Sequence, residues 1–451
     1  MREKDGNLAN TKNPEELNRR EFIKTSLGAA AAIYGISATA KPEWASAEGE
    51  LLTMLTWSHF VPESDIELRK QLEREFAIEQ GIRGRLDTIA VSQLPSKRAA
   101  EAHSQAGHDI IVLDAGDPAL YENILVDLTD LRKELGKEHG GWFGLGTELG
   151  LEGGRWRAIP WYYVSFPLVL RRDLWEQVGE KAPPDTWEDL LRAGEKLKNK
   201  GYPGGIQISH SNDSNAILRG IMWSYGASVM AEDGATIAIN SPQTAEALEF
   251  VNELYNRVLD PQVLSWDDAS NNRFLISGKG SFILNPISAY KTALKHGTKI
   301  PGKDKPIHEE LEHFLPPRGP AGRHMYAFPL LLGIWSFGKN KEKAKEFIKY
   351  HFLKERFKTF IAVSGGYNQP MLRDFKDHPI WSENPEYRFA TEIGKYSHTQ
   401  GYPGPPTKYT QMIMDLFIIP DMFANVVTER MNIKEAMRWA EKEIKGIYSQ
   451  K

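Results

Sequence analysis

The chain has 451 residues, 60 acidic against 56 basic, and its formal charge of −4 gives no general attraction to nucleic acid or an anionic membrane. It is long enough for two or three domains with ample core. It has no cysteine, which excludes a disulfide, a thiolate nucleophile, a cysteine metal site and a lipidated N-terminal cysteine.

The polar start of the chain ends in Asn18-Arg19-Arg20-Glu21-Phe22-Ile23-Lys24. Thr25 to Ala40 follows, rich in Ala, Gly and Ser, and too short and mild for a spanning helix, which needs ~20 apolar residues. Two small-x-small sites come next, at Ala38-Thr39-Ala40 and Ala45-Ser46-Ala47. The order of charged, apolar and cleavage regions is that of a signal peptide rather than an amphipathic helix of the folded domain. Arg19, Arg20, Phe22 and Lys24 resemble the bacterial twin-arginine export signal. Residues 1–47 are therefore expected to be removed, with cleavage near Ala47 and the mature chain in the periplasm.

Leu51 to Trp57 reads as a buried strand that ends at Ser58-His59-Phe60. Leu68, Leu72 and Phe76 mark one face of a helix that stops at Gly81. Ile82 to Ile89 is a second strand, Ser92 to Ala106 a helix, and His108 to Leu113 a short apolar strand that opens into Asp114-Ala115-Gly116-Asp117-Pro118. Strand and helix alternating at this pitch predict an α/β lobe with a mainly parallel sheet, in which ligands bind beyond the carboxyl ends of the strands. That rule nominates Trp57, Ser58, His59, Asp114 and Asp117. Each has a second reading: Trp57 packed inward, His59 in a polar loop, and the two aspartates capping the next helix.

Gly153 to Leu174, GGRWRAIPWYYVSFPLVLRRDL, organises the rest. It is dense in β-branched and aromatic residues, yet Pro160 and Pro167 cannot donate to a sheet ladder. Such a run can pass from one lobe to another and leave Trp161, Tyr162 and Tyr163 where they face, or it can be a buried strand with an aromatic core.

Beyond it the pattern repeats. Thr186-Trp187-Glu188-Asp189 has capping-box form, Gly205 to Ser209 reads as a strand, and His210 to Asn215 is a polar loop. Val229 to Ile239 predicts a hairpin, Ser241-Pro242 a helix start, and Gly280 to Leu284 a strand ending at Asn285-Pro286. His313 to Pro320 is a second candidate crossing, and Tyr326 to Phe337 a returning strand. Gly365-Gly366-Tyr367-Asn368-Gln369-Pro370 is a loop, and amphipathic helices close the chain.

Two near-motifs come to little. Gly333 to Asn340 approaches a phosphate-binding loop but ends in Asn where a hydroxyl is needed, and reads as a connector. His308 and His313 are five apart, which turns them to different helix faces. No nucleophile elbow of GxSxG form occurs.

In order, LLTMLTW, HDIIVLD, GRWRAIPWYYVSFPLVLRRDLWEQVG with TWEDLL, SPQTAEALEFVNELY, FLISGKGSFILNP, WSFGKNKEKAKEFIKYHF with SGGYNQP, and MNIKEAMRWAEKEI make residues 48–451 resemble a family 1 extracellular solute-binding protein of bacterial ABC importers, of the carbohydrate-binding branch. The resemblance implies a two-lobed periplasmic-binding-protein type II fold, α/β in class, each lobe a mixed sheet flanked by helices with the ligand cleft between. The expected division is an N-terminal lobe from 48–163 and 315–369 and a C-terminal lobe from 164–314 and the helical 370–451. The implied function is non-enzymatic capture of a sugar or related polyol for an ABC permease, with no cofactor or metal. Ligand contact carries onto Asp114, Asp117, Trp161, Tyr162, Asn212, Asp213 and Asn285, with Tyr367 and Asn368 added from the GGYNQP loop. An exported carbohydrate-active enzyme using two cleft carboxylates, and a sensor subunit that presents its ligand, are the alternatives. The twin-arginine translocase is the expected partner in export, and no nucleic acid is expected.

Overall fold

β1 (Leu51–Trp57) has no charged residue, and six of its seven positions are buried, as a strand covered on both faces requires. It is the second strand in from one edge of a six-stranded sheet in the computed structural model, which describes residues 50–180 and 182–449. The expected export signal lies outside the described residues. β1 pairs in parallel with β2 (Arg83–Ile89) and β3 (Ile110–Leu113). The helix between β1 and β2 runs as Glu63–Arg69, a π-helical stretch Lys70–Phe76, and Ala77–Gln80. It ends at Gly81 with φ of +64°, a conformation that favours glycine.

After a two-residue hairpin pair, β4 (Leu151–Glu152) and β5 (Arg155–Trp156), the chain enters β6 (Ile159–Val164). β6 pairs antiparallel with β11, and the register slips there: Pro160 faces Leu331 and Tyr162 faces Leu330, so Trp161 is the extra residue of a bulge. The bulge is how a proline fits inside this sheet. The chain leaves the sheet after Val164 and joins a second sheet at β7 (Leu168–Arg171), so Ser165, Phe166 and Pro167 make the first crossing.

The second sheet places β7 between β8 (Phe282–Leu284) and β9 (Leu311–Phe314), antiparallel to both. The expected strand Gly205 to Ser209 is reduced to single bridges at Gly204 and Gly205. A Cβ at Gly204 would lie 2.2 Å from the Phe282 ring, so glycine lets this backbone lie directly on the aromatic core. Around this sheet pack Trp187–Asn199, which carries the expected Thr186 capping box, and Asn212–Ser224, with Pro242–Arg257 beyond them.

The return is less regular than its sequence suggests. β10 (Met325–Tyr326) pairs in parallel with β13 (Ser397–His398), and β11 (Phe328–Ile334) begins after Ala327. The break arises because Ala327 N–H donates to His398 instead of staying in one ladder. β11 completes the first sheet between β3 and β6, and the short β12 (Gln369–Pro370) covers the edge of β6. Residues 371–374 still bond to the first lobe at Phe143, Gly141 and His139, so the third passage begins beyond Asp374, later than the expected boundary at 369. The helices Lys408–Asp415, Ile418–Val427 and Ile433–Ser449 then close over the second lobe, against Pro242–Arg257. No single described helix is long and apolar enough to cross a membrane.

Candidate functional site

The cleft between the lobes has an aromatic end and a charged end. At the aromatic end, β1 stops at Trp57 and turns outward through Ser58, which is exposed. His59 is held from Asp65: its backbone N–H donates to Oδ2 (2.9 Å) and its Nδ1 to Oδ1 (2.6 Å). This leaves His59 Nε2 to accept from the Tyr162 hydroxyl (2.6 Å), which in turn accepts from Trp57 Nε1 (3.0 Å), a tautomer assigned from the network. Burial pushes the Tyr162 hydroxyl well above its ordinary pKa and keeps it a donor. The polar atoms of Trp57, His59 and Tyr162 are thus committed to one another.

Tyr367 packs beside Trp57, with ring centroids 5.9 Å apart. Its hydroxyl is pushed well above its ordinary pKa by burial, and next by the negative charge of Asp213 on the other lobe. Asn368 is fully buried and reaches Ser64 Oγ through Nδ2 (3.4 Å), and among the described residues its Oδ1 has no partner.

Trp161 is placed differently from expectation. It has no exposed surface, stacks on Phe360 (5.4 Å, 12°), and donates from Nε1 to His351 Nε2 (2.8 Å). His351 is fixed from behind by Gln71 Oε1 (2.7 Å), and burial lowers its pKa to about 3, so it is a neutral acceptor. The bulge at Pro160 puts this ring into the interior of the first lobe, not on the cleft floor.

The second lobe supplies a polar wall. Ser211 caps the helix Asn212–Ser224, its hydroxyl accepting from Ser214 N (3.1 Å). Asp213 accepts from Asn271 Nδ2 (2.7 Å) and Gln207 Nε2 (3.2 Å). Burial, and then neighbouring Asp268, push its carboxyl well above the usual range. Asp268 accepts from Asn212 Nδ2 (3.2 Å) and Asp213 N (3.1 Å). Asn285 accepts from Asn271 (2.7 Å) and donates to Asn272 Oδ1 (2.6 Å), so it braces the wall from behind. Asp268, Asn271 and Gln207 were not among the expected residues.

At the charged end, Arg98 is fully buried. It donates from Nη2 to Asp114 Oδ2 (2.6 Å) and pairs through Nε with Asp117 Oδ2 (3.1 Å). The backbone N–H of Asp114 donates to Asp117 Oδ2 (2.7 Å), so Asp117 does serve a local turn. Among the described residues, the Oδ1 atoms of both aspartates have no hydrogen-bond partner. From the second lobe, Gln411 donates to Asp114 (3.4 Å) and to Asp415 (2.9 Å), and accepts from Gly116 N (3.2 Å). Burial lifts the Asp415 carboxyl to about 6, against the pull of Arg98. Gln400 donates to Gln411 Oε1 (2.8 Å) and accepts from Tyr326 (3.5 Å). The sequence does not single out Arg98, Gln400, Gln411 or Asp415, because a polar residue on a helix or in a turn reads as solvated unless its distant partner is known.

The lobes touch at both ends, at Gln411–Asp114 and at Lys295–Glu63 (2.7 Å). Cavities open beside each contact, about 660 Å³ lined by Ala115, Gly150, Pro405 and Thr407, and about 330 Å³ lined by Phe60, Val61 and Lys291. Among the described residues, no cluster of three His, Asp or Glu has the arrangement to hold a metal.

The family model of the bacterial extracellular solute-binding protein matches residues 89–355. The chain belongs to this family. A relative of this solute-binding protein, a probable ABC transporter-binding protein of Deinococcus radiodurans, is 24% identical over 384 residues, covering 80% of this chain and 86% of that one. Among solved structures, maltose-bound MalE3 of T. maritima is 21% identical with a TM-score of 0.76, covering 88% of this chain and 99% of its own. A sugar transporter of Arthrobacter chlorophenolicus with bound laminaribiose is 18% identical, with a TM-score of 0.74 and coverage of 88% and 99%. A solute-binding protein of Agrobacterium radiobacter in complex with ribitol is 18% identical, with a TM-score of 0.73 and the same coverage. The solute-binding protein thus has the two-lobed fold of these structures.

Proposed function

We propose that this solute-binding protein is the substrate-binding component of an ABC importer and that it captures a sugar or related polyol between its lobes. The observation that carries the reading is Tyr367 of the first lobe, packed beside Trp57 and near enough to Asp213 of the second lobe to feel its charge, so that an aromatic cluster and a hydrogen-bonding wall come together between the lobes. A pyranose or polyol offers C–H faces to rings and hydroxyls to amides and carboxylates. Ser58, His59, Asn285 and Asn368 complete or brace that end, and Asp114 and Asp117 offer free carboxylate oxygens at the other. Structures with this fold that are bound to maltose, laminaribiose and ribitol support the same reading. Delivery to a membrane permease follows from membership in a family of importer components.

A thermal-shift screen over mono- and oligosaccharides, polyols and amino acids tests it. A ligand that binds only the folded state adds ~2.7 kcal/mol at a hundredfold excess over Kd. The expected result is a shift with a carbohydrate. A shift with another ligand class and none with any carbohydrate overturns the reading, and turnover of an oligosaccharide replaces it with an enzyme.

Export through the twin-arginine route, with cleavage near Ala47 and a periplasmic mature chain, is part of the proposal. It rests on Arg19, Arg20, Phe22 and Lys24. Replacing both arginines by Lys keeps the charge and removes the guanidinium geometry. The precursor should then stay in the cytoplasm, and normal export of that variant rules the route out.

A further inference from the structure

Arg219 lies in the helix Asn212–Ser224 and is completely buried. Its neighbour Gly220 sets the helix tightly on β10, where an added Cβ would lie 3.2 Å from Met325 Cα. Nη1 is held within the helix by the carbonyl and side-chain oxygens of Asn215. Among the described residues, Nε and Nη2 have no hydrogen-bond partner. Those two atoms form the edge of the guanidinium that takes a carboxylate or phosphate with two parallel hydrogen bonds.

The other fully buried arginines differ. Arg98 is neutralised by Asp114 and Asp117, and Arg171 by Asp173 at 2.7 Å. Among the described residues, no carboxylate fills that role for Arg219. Burial pulls its pKa down only to about 10, so it keeps its charge at neutral pH. An unpaired buried charge costs stability unless something else pairs with it.

Its position says what that is. Tyr326, on the strand under the helix, feels Arg219 from one side and Asp114 and Asp117 of the facing lobe from the other. The Tyr326 hydroxyl leads through Gln400 and Gln411 to Asp114, across the cleft. Asn215, which holds Arg219, is one helical turn from the lobe wall at Asn212. Arg219 therefore stands behind Tyr326, whose hydroxyl leads on toward the charged end of the cleft.

We propose that Arg219 is an oxyanion receptor and that the ligand is an acidic saccharide, a sugar bearing a carboxylate, sulfate or phosphate. The proposal rests on the carbohydrate reading and narrows it. The anionic group would pair with Nε and Nη2, while the sugar body lies against the aromatic end.

Calorimetry on the purified protein at one ionic strength tests it, using glucuronate and galacturonate and their short oligomers, galactose 6-sulfate, glucose 6-phosphate, and the neutral sugar matching each. One acidic class is expected to bind at least tenfold tighter than its neutral counterpart, and the arm that does so identifies the anion. Arg219→Met should erase that preference and raise the melting temperature of the ligand-free protein, because it removes an unpaired buried charge. Arg219→Lys should keep part of the preference. Equal binding of neutral and acidic sugars overturns the proposal and leaves the carbohydrate reading standing. Binding of a non-sugar carboxylate with no saccharide overturns the carbohydrate reading instead. Binding of no acidic probe overturns the proposal. So does an Arg219→Met protein that melts lower and weakens neutral and acidic ligands alike, which would mark Arg219 as structural.

Discussion

Trp161 shows how one ring can sit next to a cleft and take no part in it. Its neighbour Tyr162 bonds toward Trp57 and His59, while Trp161 reaches His351 and stacks on Phe360. Trp161→Ala removes a fully buried indole and leaves a cavity, so it should lower folding stability by ~3–5 kcal/mol. Ligand affinity of the folded fraction should stay near that of the parent. Denaturant unfolding and calorimetry on the same variant measure both, and a variant of normal stability with lost affinity would return the ring to the binding surface.

The helix Lys341–Phe352 fastens two other elements of the first lobe through one imidazole. His351 accepts from Trp161 on β6 and donates to Gln71 in the helix after β1. Its folded pKa of about 3 lies below the ordinary value of 6.5. The native state excludes a proton that the unfolded chain takes up, so this stability is present above pH 6.5 and is lost as pH falls toward 3. The loss from this group is about 2 kcal/mol at pH 5. His351→Gln keeps an acceptor for Trp161 and a donor for Gln71 without a titrating group. Its unfolding free energy should match the parent at pH 7.5 within about 1 kcal/mol and fall less on acidification, as urea melts at pH 7.5 and 5 would record. An unchanged pH slope contradicts the assignment.

At the scale of the molecule, closure depends on a position where two lobes meet without a side chain. Gly116 has φ of −93°, which any residue adopts, so its own lobe does not demand glycine. An added Cβ would lie 2.7 Å from both Gln411 Cβ and Thr407 O of the facing lobe. Gly116→Val should therefore fold normally and resist closing. Since contacts shared by both lobes exist only when closed, ligand affinity should fall at least tenfold, about 1.4 kcal/mol. Small-angle scattering should show less ligand-induced compaction, and a variant that compacts and binds like the parent would remove Gly116 from the closing surface.

The sequence alone determined the alternation of strands and helices, the buried strands LLTMLTW and IIVL, and the Thr186 and Ser241 helix starts. These are local quantities, set by apolar periodicity, caps and proline within a few residues. Tertiary structure decided which polar side chains face the cleft and which way Trp161 points. Gln411 and Asp114 are 297 residues apart, and Trp161 and His351 are 190 apart. A buried arginine such as Arg98 or Arg219 looks in sequence like any solvated helix residue, because burial of a charge depends on what the rest of the chain folds over it.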